Sequence, residues 1–503
     1  MLLAENDLSE PERRLCAVAA SGSVLDLRDR DERVNPIDGS RWAPQRTIRA
    51  QLLRQLLLNE QVPNRATAVR VRGARIVGRL NLGGQKLECP FELYECYLAH
   101  EVNLAKAEAI SISLRGSYLR RGLSARQLRV KYSVNLSRGF RCTGPVRLTA
   151  ASIGGSLDCG GGGFTRPGGT PIVGDLLTVT RNVFLGDGFK ANGQVRLVGA
   201  HVGGQLNLTG GEFRNHKGNA TDADGDAINA DGVQVDRGLL CGDGFKAEGG
   251  VRLVGARVRG QLDLTGGEFR SAGGDAINAE RLFVDGAGFW QPKQVEGQLN
   301  LAHARATVWC DNEQGRSVPT ALRGFRYEAL HPEMDAEARI EWLERDPNRY
   351  SPQPYSQLAA IYRAEGNDRH ARAVLVSSQK RRPRGQGWRS WGPRFWGRVL
   401  SATVGYGYHS QRALVWLLIL AAVGSLAFKF VIPGDTLARP PSTPPHNAFL
   451  YVVDVMLPFV DLGYGKLVAR GPALAVTAGL VLMGWVLVTA VVAAFAGILR
   501  RGD

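Results

Sequence analysis

The apolar positions of this chain recur at short, non-helical spacings. VRLVGAHVGGQLNLTGGEFR begins at Val195, and VRLVGARVRGQLDLTGGEFR begins at Val251, 56 residues later. GDGFKA stands at 186 and 242 with the same offset, whereas DAINA stands at 226 and 275. The shorter second offset marks a seven-residue insertion in the first copy, which belongs on a surface loop. Within a copy the apolar set is Leu253, Val258, Leu262, Leu264 and Phe269. Alternation of the L-x-L kind predicts short strands, with Gly and Asn/Asp in the turns between them. Weaker echoes are FELYECYL at 91, ISLRGSYL at 112 and VRVRGARIVGRLNL at 69. A unit of roughly 20–25 residues with several short strands predicts a β-solenoid over 65–310, because one such coil cannot bury its own apolar face.

The flanks change period. SEPERRLCAVAA, Ser9 to Ala20, and TIRAQLLRQLLLNE, 47–60, predict a helical N-terminal cap over 1–64. After the solenoid, ARIEWLERD and YSQLAAIYRAEGNDRHARAVLVSSQKRR predict a helical connector over 311–385, with tetratricopeptide-like spacing in the second stretch. Two long apolar runs follow. Residues 472–499 are 28 residues without a charge, and 413–432 carry only Lys429 near one end. A bilayer needs about 20 apolar residues, so both read as transmembrane helices. The fold class is therefore mainly β, with a helical cap, a helical connector and two C-terminal spans.

Charge then sets topology. The net charge of +16 calls for an anionic partner, a membrane surface or a nucleic acid. Residues 380–398 hold seven basic residues and no acid, interleaved with aromatics. Trp388, Arg389, Trp391, Arg394, Trp396 and Arg398 form an expected membrane-interface collar over 386–412. Arg with aromatics also binds single strands, but a place just before a span favours anionic lipid headgroups, and no nucleic-acid partner is expected. Arg500 and Arg501 follow the second run. The positive-inside rule then puts both termini and the solenoid in the cytoplasm at an inner membrane, with 433–471 extracytoplasmic or re-entrant. The excess of Arg over Lys suggests a GC-rich bacterial source, and no secretory signal peptide is expected at the N-terminus.

No residue set carries an evident chemistry. The seven cysteines form no CxxC pair and read as small buried apolar residues in a reducing compartment. Gly186-Asp-Gly188-Phe-Lys-Ala191 fits a loose dinucleotide fingerprint, but a strand pattern follows it where a helix is required. Asp222, Asp224 and Asp226 alternate like calcium ligands, yet Ala227 and Val233 stand where an EF-hand needs Gly and Glu. Asp158, Asp243 and Asp263 repeat from coil to coil and read as structural. Catalytic residues, metal ligands and cofactors are accordingly none. Between the apolar runs, a short helix-like segment precedes Gly463-Tyr464-Gly465, the layout of a potassium-channel pore loop. Asp461-Leu462 replaces the channel's Thr-Val, and Pro458 falls inside the would-be pore helix. Asp461, Gly463, Tyr464 and Gly465 are the pore candidates, and a pore would require a homo-oligomer.

WAPQRTIRAQLLRQLLL, VRVRGARIVGRLNL, YSPQPYSQLAAIYRAEG, VGYGY and LYVVDVMLPFVDLG together resemble a family of membrane-associated proteins of actinomycetes, over nearly the whole chain. Its members are commonly labelled membrane-associated oxidoreductases. The resemblance implies redox chemistry on a flavin or nicotinamide, for which these residues supply no motif. The chain is distantly similar to pentapeptide-repeat proteins, without their A-[DN]-L phrase. The expected role is a membrane-anchored solenoid that binds or scaffolds a cytoplasmic protein partner. An oligomeric two-span pore and a membrane-associated oxidoreductase are the alternatives.

Overall fold

The computed structural model describes residues 7–28, 35–60, 65–215, 225–348, 350–382, 410–431, 437–438, 447–457, 459–464 and 467–499. It divides into two compact units, Met1–Gly366 and Asn367–Asp503.

The first unit is a parallel β-solenoid of about eleven turns, built from two long sheets. One column of paired residues runs Val69, Phe91, Ile112, Val134, Leu157, Val183, Leu206, Leu239, Leu262, Gly288, Trp309 and Leu330. Most steps are 21 to 26 residues. The step from Leu206 to Leu239 is longer because it contains the insertion found in the repeat.

A single coil shows why the sequence closes this way. Strands Val195–Arg196, His201–Val202, Leu206–Asn207 and Glu212–Arg214 follow one another around four sides. Val195, Leu197, Ala200, Val202, Leu206, Leu208 and Phe213 point inward and are buried. Arg196, His201, Gln205, Asn207 and Glu212 alternate with them and face out. At the turn after Leu206–Asn207, the Asn207 carboxamide oxygen accepts the Thr209 N–H at 2.9 Å. Asn135, Asp158, Asn229 and Asp263 repeat this bond two residues ahead of themselves. A short side chain thus satisfies a turn donor that neither sheet reaches. Asp158 and Asp263 are turn caps, as their repetition implied.

The corner phenylalanines stack on one another along the axis. Phe140, Phe164, Phe189, Phe213, Phe245 and Phe269 have neighbouring ring centroids 5.1 to 5.5 Å apart, and Trp290 continues the column at 5.8 Å. Each tilted pair contributes about 1 kcal/mol beyond its buried area. The column ends on the short helix Glu313–Ser317, where Trp290 Nε1–H donates to the Gly315 carbonyl at 3.0 Å.

Both ends of the solenoid are covered. Helix α1 (Glu10–Ser21) opens with a capping box in which Ser9 N–H donates to Glu12. Helix α2 (Ala50–Leu58) buries Leu52, Leu53, Leu56 and Leu57. The segment before 65 is not purely helical, however. Val24–Asp26 pairs with Arg70–Arg72, and Thr47–Arg49 pairs with Arg75–Val77, so the cap supplies the first strand of each sheet. At the other end, parallel pairing continues past 310 to Arg326–His331. Helices α3 (Ala336–Glu344) and α4 (Pro352–Ala364) follow it. From α4, Gln353 and Gln357 donate to the Phe325 and Tyr327 carbonyls at 3.0 and 2.7 Å. Gln353 also accepts the Gly324 N–H at 2.8 Å. Two side chains thereby occupy the last strand's edge, which would otherwise template pairing with another chain.

Candidate functional site

The second unit contains α5 (Asp368–Arg381), α6 (Ser410–Leu426, continued by a π turn at Ala427–Val431), α7 (Ala448–Met456) and α8 (Pro472–Leu499). Among the described residues one helix, α8, is long and apolar enough to cross a membrane, with a mean hydropathy of 1.9 over Pro472–Thr489. The other expected span is a shorter apolar helix, Val415–Val431, and its last turn widens to a π turn that contains Lys429.

Helices α6, α7 and α8 share an apolar core of Ala421, Phe428, Tyr451, Val452, Met456, Tyr464, Leu467, Ala473 and Leu480. Their outward faces are apolar too. Leu418, Leu482 and Trp485 are 61%, 69% and 56% exposed. A soluble surface rarely carries so continuous an apolar belt.

Helix α7 has nine residues and is too short to span a bilayer. It lies alongside α8. The Tyr451 hydroxyl meets Thr477 Oγ1 at 2.9 Å, and a Cβ on Gly484 would sit 2.5 Å from the Met456 carbonyl. Glycine at 484 is what admits this backbone approach. Gly484 lies twelve residues into α8, about 18 Å along it. The chain then turns back. The Asp454 carboxylate accepts the Leu462 N–H, and Asp461 Oδ1 accepts the Gly463 N–H at 3.0 Å. Gly463 takes φ +83°, a left-handed conformation open to glycine. Tyr464 is buried, and its carbonyl accepts the Leu467 N–H at 3.0 Å. Val468–Ala469 finally pairs antiparallel with Leu437–Ala438.

Three of the four pore candidates thus occupy one turn. Asp461 shapes it, Gly463 permits it and Tyr464 anchors it in the helical core, while Gly465 lies outside the described residues. The Tyr464 carbonyl is engaged within its own turn. A potassium-type filter instead directs its carbonyls at an ion. Asp454 is the residue of this turn that the sequence does not announce. Its spacing of eight from Leu462 gave no local signal. The collar residues Trp388, Arg389, Trp391, Arg394, Trp396 and Arg398 all lie outside the described residues.

In the solenoid, the buried acids serve the end caps. Asp311 holds Arg339 at 2.6 Å and Arg316 at 2.7 Å, with Asp311 and Arg339 both fully buried. Glu12 holds Arg49 at 2.6 Å. Burial raises the Glu12 pKa, but hydrogen bonds and charge from Arg49 outweigh it and leave the carboxyl below its ordinary value. The thiols go the other way. Burial pushes Cys89 up to about 11 and Cys96 and Cys142 up to about 12, and raises Cys159 and Cys241 further. Such thiols are poor nucleophiles at neutral pH.

A cleft of about 510 Å³ opens beside the repeat insertion, lined by Asp226, Glu248, Arg252, Arg270, Asp275 and Glu296 among others. Its charges are largely engaged with one another or with neighbours. Arg252 reaches Asp226 at 3.7 Å and Asp231 at 2.8 Å, and Gln298 donates to Asp275 at 2.6 Å. Asp226 is therefore an ion-pair partner here, while Asp222 and Asp224 lie outside the described residues. No family model, curated protein or solved structure matches this chain.

Proposed function

We propose that this protein is a membrane-anchored β-solenoid that presents a rigid lateral surface to a cytoplasmic partner. The observation that carries this reading is the pairing, in one chain, of an end-capped eleven-turn solenoid with an uncharged 28-residue helix that exposes Leu474, Leu482, Met483 and Trp485. A stacked solenoid keeps its exposed columns in fixed order, which suits display rather than a catalytic cleft. In this reading α6 is a second span that completes its length with residues on either side. The basic collar lies on anionic headgroups, and both termini with the solenoid are cytoplasmic. The actinomycete family likeness supports the membrane association and contributes no chemistry.

The test is proteolysis of inverted and right-side-out vesicles. Residues 70–300 should be digested in inverted vesicles and shielded in right-side-out ones. Shielding in the inverted vesicles would overturn the topology, and release of the protein by alkaline carbonate would overturn the anchor.

One observation favours a second reading, an oligomeric pore. Helix α7 enters alongside α8 to Gly484 and the chain returns through Gly463 and Tyr464, as a pore loop does. Two spans cannot enclose a channel, so this reading requires a ring of subunits. The mass of the protein in mild detergent decides it: a tetramer supports a pore, and a monomer or dimer removes it.

A further inference from the structure

Charge is unevenly spread along the solenoid. The coils before residue 109 carry Glu88, Glu92, Glu95, Glu101 and Glu108, and these pair with Arg65, Arg70, Arg28, Arg147 and Arg129. Residues 109–157 then hold nine basic side chains and no acidic one. Two of the nine, Arg129 and Arg147, reach back to Glu108 and Glu101. Arg120, Arg121, Arg126, Lys131, Arg138 and Arg141 are exposed and have no ion-pair partner among the described residues.

The fold distributes these six around the coil. Arg120 and Arg121 fill the bend between strands Tyr118–Leu119 and Leu123–Ser124. Arg126 stands in the next turn, Lys131 in the bend after Arg129–Val130, and Arg138 in the turn before Arg141–Cys142. Arg141 pairs in register directly above Tyr118. With about 22 residues per coil at about 3.3 Å each, the band is roughly 70 Å around and 10 Å tall. A flat bilayer or a folded acidic protein meets one side of such a band, and so only two or three charges. A flexible polyanion can follow all four corners.

Two features narrow the polyanion. Five of the six cations are arginine, whose planar fork matches phosphate. Beside Lys131, Tyr132 is 54% exposed, with the ammonium 5.3 Å from its ring centroid. An exposed ring among phosphate-binding cations is a stacking platform for a base. We propose that this band binds single-stranded nucleic acid, with phosphates on the arginine corners and a base on Tyr132. The basic collar at 380–398 favours lipid because a span follows it; the band rests on other residues.

The experiment uses the full chain in neutral detergent and a fluorescent oligothymidylate 20-mer, with affinity measured across salt concentrations. The triple variant R120Q/R121Q/R141Q should bind on the order of 100-fold more weakly at 0.1 M salt. Its log–log salt slope should fall by about 2, at about 0.7 per phosphate contact for single strands. Tyr132→Ala should weaken binding about tenfold with the slope unchanged. A control with equal charge loss elsewhere, R257Q/R323Q/R326Q, should bind like the parent. Unaltered binding by the first triple variant would overturn the proposal and assign binding to the collar. Equal binding of polyglutamate or of anionic vesicles, insensitive to Tyr132→Ala, would overturn it in favour of an acidic peptide or lipid surface.

Discussion

At Leu176 a single backbone angle works against its side chain. Leu176 sits at φ +56°, and the coils that follow place Gly199, Gly232 and Gly255 at the same turn with φ of 63°, 66° and 64°. A left-handed conformation costs a side-chain-bearing residue about 1 kcal/mol, and Leu176 is exposed, so little packing offsets that cost. Leu176→Gly should therefore raise the solenoid's unfolding free energy by about 1 kcal/mol, read from a denaturant midpoint. Phe213 is the opposite case, with a ring stacked on Phe189 and Phe245 and no exposure. Phe213→Ala should cost about 3–5 kcal/mol in the same assay. Glu12 adds a dependence on pH. Its folded pKa is depressed by Arg49, so the pair stabilises fully above the ordinary carboxyl value near 4.5 and its contribution is lost as pH falls through the folded value. Glu12→Gln should lose about 2 kcal/mol at pH 7. The gap between variant and parent should close in melts taken progressively below pH 4.5.

At the scale of elements, what the sequence announces depends on how often it says it. The coils were legible because Val195, Leu197, Ala200, Val202, Leu206 and Phe213 have counterparts at Val251, Leu253, Ala256, Val258, Leu262 and Phe269. The boundaries at 65 and 310 were misplaced because the end strands have no such counterpart. Val24–Asp26 and Thr47–Arg49 are three-residue strands beside helices, and Arg326–His331 lacks the repeat phrase. Their identity comes from pairing with a neighbour distant in sequence, which no local pattern records. The Gly-Tyr-Gly motif was legible as an element but not as a shape, since its turn depends on Asp454. The edge bonds from Gln353 and Gln357 were equally hidden, because a helix-surface glutamine looks solvated in sequence. They should matter: Q353A/Q357A frees the Phe325 and Tyr327 carbonyls and the Gly324 N–H. Light scattering of the folded double variant should show concentration-dependent self-association, whereas the parent's edge remains covered.

At the scale of the whole molecule, a solenoid differs from a globular core in having only nearest neighbours. Val183 stands above Leu157 and below Leu206 in the same column. Removing residues 183–205 deletes one complete coil and sets Leu206 directly on Leu157. Phe189 leaves with the coil, so Phe213 then follows Phe164 in the aromatic column. Every remaining coil keeps a strand-paired neighbour on each side, and both end caps are untouched. The shortened chain should retain its β circular-dichroism signal and a single cooperative melt, with a melting temperature only slightly below the parent's. Removing residues 178–200 spans the same length of chain and also shortens the column by one coil. It should behave alike, because His201 then stands where Thr178 stood in the register. A deletion out of phase, residues 183–194, removes half a coil and brings the next strand onto the wrong sheet. That variant should fail to melt cooperatively. If all three deletions collapsed alike, the coils would be interlocked beyond their neighbours, and the solenoid would be no modular surface.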